Sequence, residues 1–177
     1  MIAMAMEFGA NSAAGIELTE NMLSGYPLFE SVVQGAGIDP LAVNIRYGDI
    51  SKLLGLGAAT YIFSFWNSIP PQARMAIKML VSKSPTARVF ACSNIPGKES
   101  IQRVLTELNK HSGSATWDHC HQFKTTVLGG TMKSEIWIFK RNPEPILSEM
   151  MVSTQDHSFL TFDSNLWRVM QLSNTNV

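Results

Sequence analysis

The sequence predicts an α/β domain: a mostly parallel sheet that ends in an antiparallel hairpin. Three observations carry this expectation. Short apolar runs alternate with stretches of helical spacing up to about residue 110, and Gly- and Pro-bearing loops such as GAGIDP separate them. Beyond that point two alternating runs, Gln122 to Leu128 and Ser134 to Arg141, flank Gly129-Gly130-Thr131-Met132-Lys133 and read as a β-hairpin. Alternation of strand and helix favours parallel pairing because a crossover helix returns the chain to start the next strand at the same edge.

Met1 to Phe8 has Met and Ala at helical spacing and stops at Gly9. Ala13 to Leu18 is a short strand that ends in a single acid, Glu17, with Thr19 able to cap the helical region after it. That region, Glu20 to Gly35, is disturbed early by Gly25 and Pro27, and Ala42 to Tyr47 is the next strand. Gly48-Asp49-Ile50 and a short helical turn over Ser51 to Leu54 come next, then the most apolar strand, Thr60 to Phe65. Pro70 and Pro71 open a helix whose Ala73, Ala76, Ile77 and Leu80 share one face. Ala87 to Ser93 is a strand, and Ser100 to Lys110 is a helix carrying Ile101, Val104, Leu105 and Leu108 inward. Residues 142–177 show no clear period, and Pro143 and Pro145 mark a boundary before them.

Composition excludes several classes. At 177 residues and 45% hydrophobic content the chain can bury a sizeable core, so it falls among ordinary globular proteins. Fourteen basic and fourteen acidic residues cancel, which removes any whole-chain attraction for nucleic acid or an anionic membrane. Lys133, Lys140 and Arg141 make a small basic end to the hairpin, which reads as a solvated rim. No uninterrupted apolar run approaches the ~20 residues of a membrane span. The first fifteen residues lack Lys and Arg and are interrupted by Glu7, a poor signal peptide. Cys92 and Cys120 are too few for a disulfide framework and are expected as unpaired buried thiols in a reducing compartment. The expected setting is intracellular, with no membrane partner.

In open α/β sheets ligands lie beyond the carboxyl ends of the strands, so Gly48-Asp49-Ile50 and Ser64-Phe65-Trp66-Asn67 stand where chemistry is expected. The stretch Trp117-Asp118-His119-Cys120-His121 has metal-ligand residue types. In a regular strand His119 and His121 would share a face opposite Cys120, and no second pair completes a tetrahedral set, so no metal is expected. No nucleophile motif accompanies either histidine.

The motifs GIEL, YGDI and IFSFWNSIPP, taken in this order with a closing hairpin, resemble the class I methyltransferases that use S-adenosylmethionine. Within that class the wording is most similar to the disruptor-of-telomeric-silencing type of histone lysine methyltransferases, where a helix like AMEFGA precedes a GIE strand and later segments read like GDI and YIFSFW. The resemblance implies a Rossmann-like seven-stranded methyltransferase sheet with its first strand missing. Residues 1–141 would be a truncated core and 142–177 a C-terminal extension. It implies S-adenosylmethionine as cofactor, with Glu17 on the ribose hydroxyls, Asp49 on the adenine amino group, Ile50 against the purine, and Ser64 and Phe65 bordering the cofactor. Trp66 and Asn67 would face the methyl acceptor, a protein and in the histone type a nuclear one; otherwise the setting is cytoplasmic. A small-molecule or nucleic-acid methyltransferase, and a non-catalytic remnant of the fold, are the alternatives.

Two departures bear on the resemblance. Where the histone-lysine type carries an Asn pair followed by Phe, this chain has Ser64, Phe65 and Trp66. The family's first strand and glycine-rich loop, whose backbone amides approach the cofactor's methionine end, would precede Met1. Loss of a central strand leaves ladder groups unpaired at roughly 1 to 3 kcal/mol each. Against a total stability of about 5 to 15 kcal/mol this predicts a chain that folds poorly alone. Methyl transfer from a sulfonium needs an aligned in-line attack more than a general base, so no catalytic residue is singled out.

Overall fold

A computed structural model of the chain describes residues 11–17, 31, 34–35, 37–39, 42–66, 69–94, 99–126, 133–142 and 161–162. The chain divides into two compact units, Met1–Lys52 and Leu53–Val177.

In the first unit β1 (Ala13–Glu17) and β2 (Val43–Tyr47) pair in parallel, from Ala13 opposite Val43 to Glu17 opposite Tyr47. A parallel pair needs a crossover of a dozen residues or more, which the span between them supplies. The expected crossover helix over Glu20 to Gly35 lies mostly outside the described residues, where 31, 34 and 35 are helical. The expected helix at Met1 to Phe8 lies outside them altogether.

The structure departs from expectation where the first unit ends. The helical turn foreseen over Ser51 to Leu54 is a 3-10 turn at Ile50–Lys52, and Leu53–Gly55 is already extended as β3. Gly57, at φ +56°, takes the left-handed conformation that glycine tolerates and turns the chain back. Then come β4 (Tyr61–Phe65), α1 (Pro71–Lys83), β5 (Val89–Asn94) and α2 (Ile101–Asn109). The hairpin strands β6 (Thr116–Thr126) and β7 (Lys133–Asn142) come after them, and β8 (Thr161–Phe162) pairs antiparallel with β3.

Pro71 stands at the first turn of α1, where its missing N–H costs no bond. Ser100 caps α2, its Oγ accepting from Arg103 N at 3.2 Å. The strand order is β4-β5-β7-β6, parallel between β4 and β5 and antiparallel across the rest. Fold class is therefore mixed α/β with a parallel pair and a C-terminal hairpin, as the sequence predicts. The described strands nevertheless form three small sheets and not one seven-stranded sheet.

The core of this unit lies between the sheet and the two helices. Trp66 packs on Phe90 with ring centroids 5.9 Å apart, and Phe90 stacks on Phe139 at 6.0 Å. Ile77, Leu80 and Val81 of α1 and Val104 and Leu108 of α2 are buried with them. The inward face of α1 differs from the expected one: Lys78 and Ser82 are buried, whereas Ala73 and Ala76 are half-buried. Ser82 Oγ donates to Leu108 C=O and so joins the helices. Asn109 closes α2 onto β6 with a reciprocal pair, Nδ2 to Trp117 C=O at 3.1 Å and Trp117 N–H to Oδ1 at 2.6 Å.

Candidate functional site

In the first unit two acids end neighbouring parallel strands. Gly48 N–H donates to Glu17 C=O at 2.9 Å, which carries the β1–β2 ladder one step past the strand ends. Glu17 and Asp49 thus stand at the same carboxyl edge of this pair, and both are exposed. Asp49 Oδ1 accepts from Ser51 N at 2.9 Å and from Ser51 Oγ at 2.7 Å, capping the 3-10 turn. The Ser51 hydroxyl, then its amide, and more weakly Lys52 hold the Asp49 carboxyl below its ordinary value of 3.8, against a small opposing effect of burial. Oδ2 has no hydrogen-bond partner among the described residues. Asp49 is therefore an ionised acceptor with one oxygen anchored in a turn and the other available to an N–H donor. Ile50 beside it is half-buried.

The other expected residues lie in the second unit, at the carboxyl end of β4. Ser64 is 7% exposed and Trp66 2%, so both face the core, while Phe65 is 40% exposed on the opposite sheet face. Asn67 lies outside the described residues. The expectation that Trp66 borders an acceptor meets a buried ring, packed on Phe90 with the Lys78 ammonium 5.6 Å from its centroid.

Sequence reasoning missed a charged cluster at this end of the sheet. Glu99, just before the cap of α2, accepts from Lys78 Nζ at 2.6 Å through Oε1 and lies 3.7 Å from Arg74 Nη1 through Oε2. Lys78 is 2% exposed. The available signal was the spacing Arg74, Ile77, Lys78, Val81, which sets two cations on one helix face with two β-branched apolar residues. Burial drives the Cys92 thiol far up, with Glu99 raising it further and Lys78 opposing, so this cysteine stays protonated and unreactive. Cys120, expected as a second buried thiol, is exposed.

The histidine stretch also differs from expectation. It belongs to β6, and a bulge makes His119 oppose Phe139 while His121 opposes Ile138. Because 138 and 139 are consecutive in β7, the two histidines fall on opposite faces and not on one. His119 is half-buried, edge-on to Phe139 at 5.6 Å, and His121 is exposed. Among the described residues no three His, Cys, Asp or Glu side chains gather as a metal site. No described helix is long and apolar enough to cross a membrane.

No family model matches this chain, and a search of the curated proteins finds no significant match.

Proposed function

We propose that the chain carries the adenosine-binding edge of a class I S-adenosylmethionine-dependent methyltransferase domain whose acceptor is a protein lysine, with histone the expected substrate. The observation behind this reading is the β1–β2 pair. Two exposed acids end adjacent parallel strands, and the Gly48 to Glu17 bond keeps their backbones in register. A ribose diol and an adenine amine present O–H and N–H donors, which carboxylates accept. Asp49 is suited to the amine because its turn holds it ionised with Oδ2 available. Glu17 takes the ribose hydroxyls, and Ile50 lies against the purine. The order β4-β5-β7-β6 with a reversed closing hairpin adds support, since it agrees with the resemblance carried by the sequence motifs.

When bound, S-adenosylmethionine supplies a sulfonium-activated methyl group. The residues of this chain hold the adenosine so that the methyl meets the acceptor in line. In the SFW segment Phe65 is the accessible aromatic and Ser64 is turned into the core.

Calorimetric titration of S-adenosylhomocysteine into the protein tests the proposal. Binding is expected, with Glu17→Ala and Asp49→Ala each weakening it roughly tenfold through loss of a charged hydrogen bond. Binding unaffected by both substitutions contradicts the site assignment. A folded protein that binds nothing is instead a non-catalytic relative of the fold. Transfer of labelled methyl to nucleic acid or a small acceptor, and not to histone, moves the reading to the corresponding methyltransferase class.

A further inference from the structure

Where the carboxyl end of β4 meets the first half of α1, buried polar groups gather in which donors outnumber acceptors. Arg74 and Lys78 bring two positive charges to a single carboxylate, Glu99. Lys78 Nζ, with three N–H donors, makes one hydrogen bond, to Glu99 Oε1, and otherwise faces the Trp66 ring. Arg74 Nε, Trp66 Nε1 and Ser64 Oγ are all buried and make no hydrogen bond among the described residues. Ser64 and Trp66 project from the same side of the chain two residues apart, towards α1. Ser64 lies opposite Cys92, whose thiol feels both Lys78 and Glu99, so these groups share one neighbourhood. Unpaired buried donors are costly, and one negatively charged acceptor would satisfy them together.

We propose that this donor cluster is a binding site for a carboxylate group, with Arg74 and Lys78 as its charged donors and Trp66 Nε1 and Ser64 Oγ as its neutral ones. A carboxylate fits better than a larger anion because Glu99 already seats one between the same two cations, one oxygen towards each. Entry is from the side of Arg74, whose side chain is 14% exposed, in contrast to 3% for Lys78. The ligand is either a small organic acid or an acidic side chain of a bound peptide. This inference is independent of the methyltransferase reading, since it uses neither Glu17 nor Asp49.

The test is an NMR titration of the full chain with sodium acetate, watching the indole N–H resonances, of which the Trp66 signal is identified by its loss in Trp66→Phe. Acetate is expected to move that resonance downfield saturably, while sodium chloride at equal ionic strength does not. In Arg74→Gln, a partly exposed position whose fold is checked by the unchanged remaining spectrum, the midpoint rises about tenfold or more, as loss of a charged hydrogen bond requires. If Arg74→Gln disturbs the fold, Arg74→Lys serves, since it keeps the charge but loses the Nε donor and still weakens binding. A blocked peptide containing one Glu, run in parallel, separates the sources: tighter binding than acetate assigns an acidic partner, and binding of acetate alone a small acid. No shift of the Trp66 indole with acetate or with the peptide, a shift reproduced by chloride, or one unchanged in the Arg74 variants overturns the proposal.

Discussion

At the scale of single residues, Asp49 is an exposed side chain whose chemistry its neighbours fix. Both Ser51 groups bond to Oδ1, so Ser51→Ala should raise the Asp49 titration midpoint towards its ordinary 3.8, read from the carboxyl carbon shift against pH. A depressed carboxyl contributes stabilisation that is fully present above the unfolded value and is lost as pH falls through the folded one. The contribution is small because the group is exposed. Phe139 is the opposite case, fully buried between Phe90 and His119. Phe139→Ala is expected to cost about 3 to 5 kcal/mol in urea unfolding, the usual range for emptying a buried aromatic site. Asp49 was legible in the sequence because a lone acid after an apolar run marks a strand end. Lys78 was not, because its burial depends on Glu99, twenty-one positions away, and helical spacing carries no information about a partner on another element.

At the scale of elements, the strands were legible to within one or two residues wherever apolar runs were bounded by turn residues, as for β1, β2 and β4. The hairpin was legible too, but β6 begins at Thr116 and not at Gln122, because polar residues such as Asp118 and His121 sit on its open face and hide the alternation. The bulge at Cys120 then reverses which residues face inward, a register change that alternation cannot report. Asn109 joins α2 to this early part of β6. Asn109→Ala is expected to destabilise the unit by about 1 to 3 kcal/mol, because it leaves the Trp117 amide unpaired, and to speed that amide's hydrogen exchange. Strand β4 is bonded to β5 on one side and to nothing on the other among the described residues. Tyr61, Phe63 and Phe65 are 70%, 40% and 40% exposed along it, with no Lys, Pro or bulge to guard the edge. The chain is therefore expected to self-associate with concentration, and Phe63→Lys to reduce that association in sedimentation velocity.

At the scale of the whole molecule, the sequence conveys the class of fold but not its division into units. Strand and helix alternation is a local property, and it survives in the parallel pair, the crossover helix α1 and the closing hairpin. Which strands share a sheet depends on pairing between residues far apart in the chain, and on this the expected single sheet differs from the three sheets that the described strands form. The proposed adenosine site belongs to the smaller unit, where two strand-end acids are held in register by backbone bonds. Its most direct test is a titration of S-adenosylhomocysteine into the isotopically labelled protein, with backbone amide shifts as the readout. Saturable changes concentrated at Glu17 and at Gly48 to Ser51 are predicted. Saturable binding that leaves those amides unmoved would contradict the assignment.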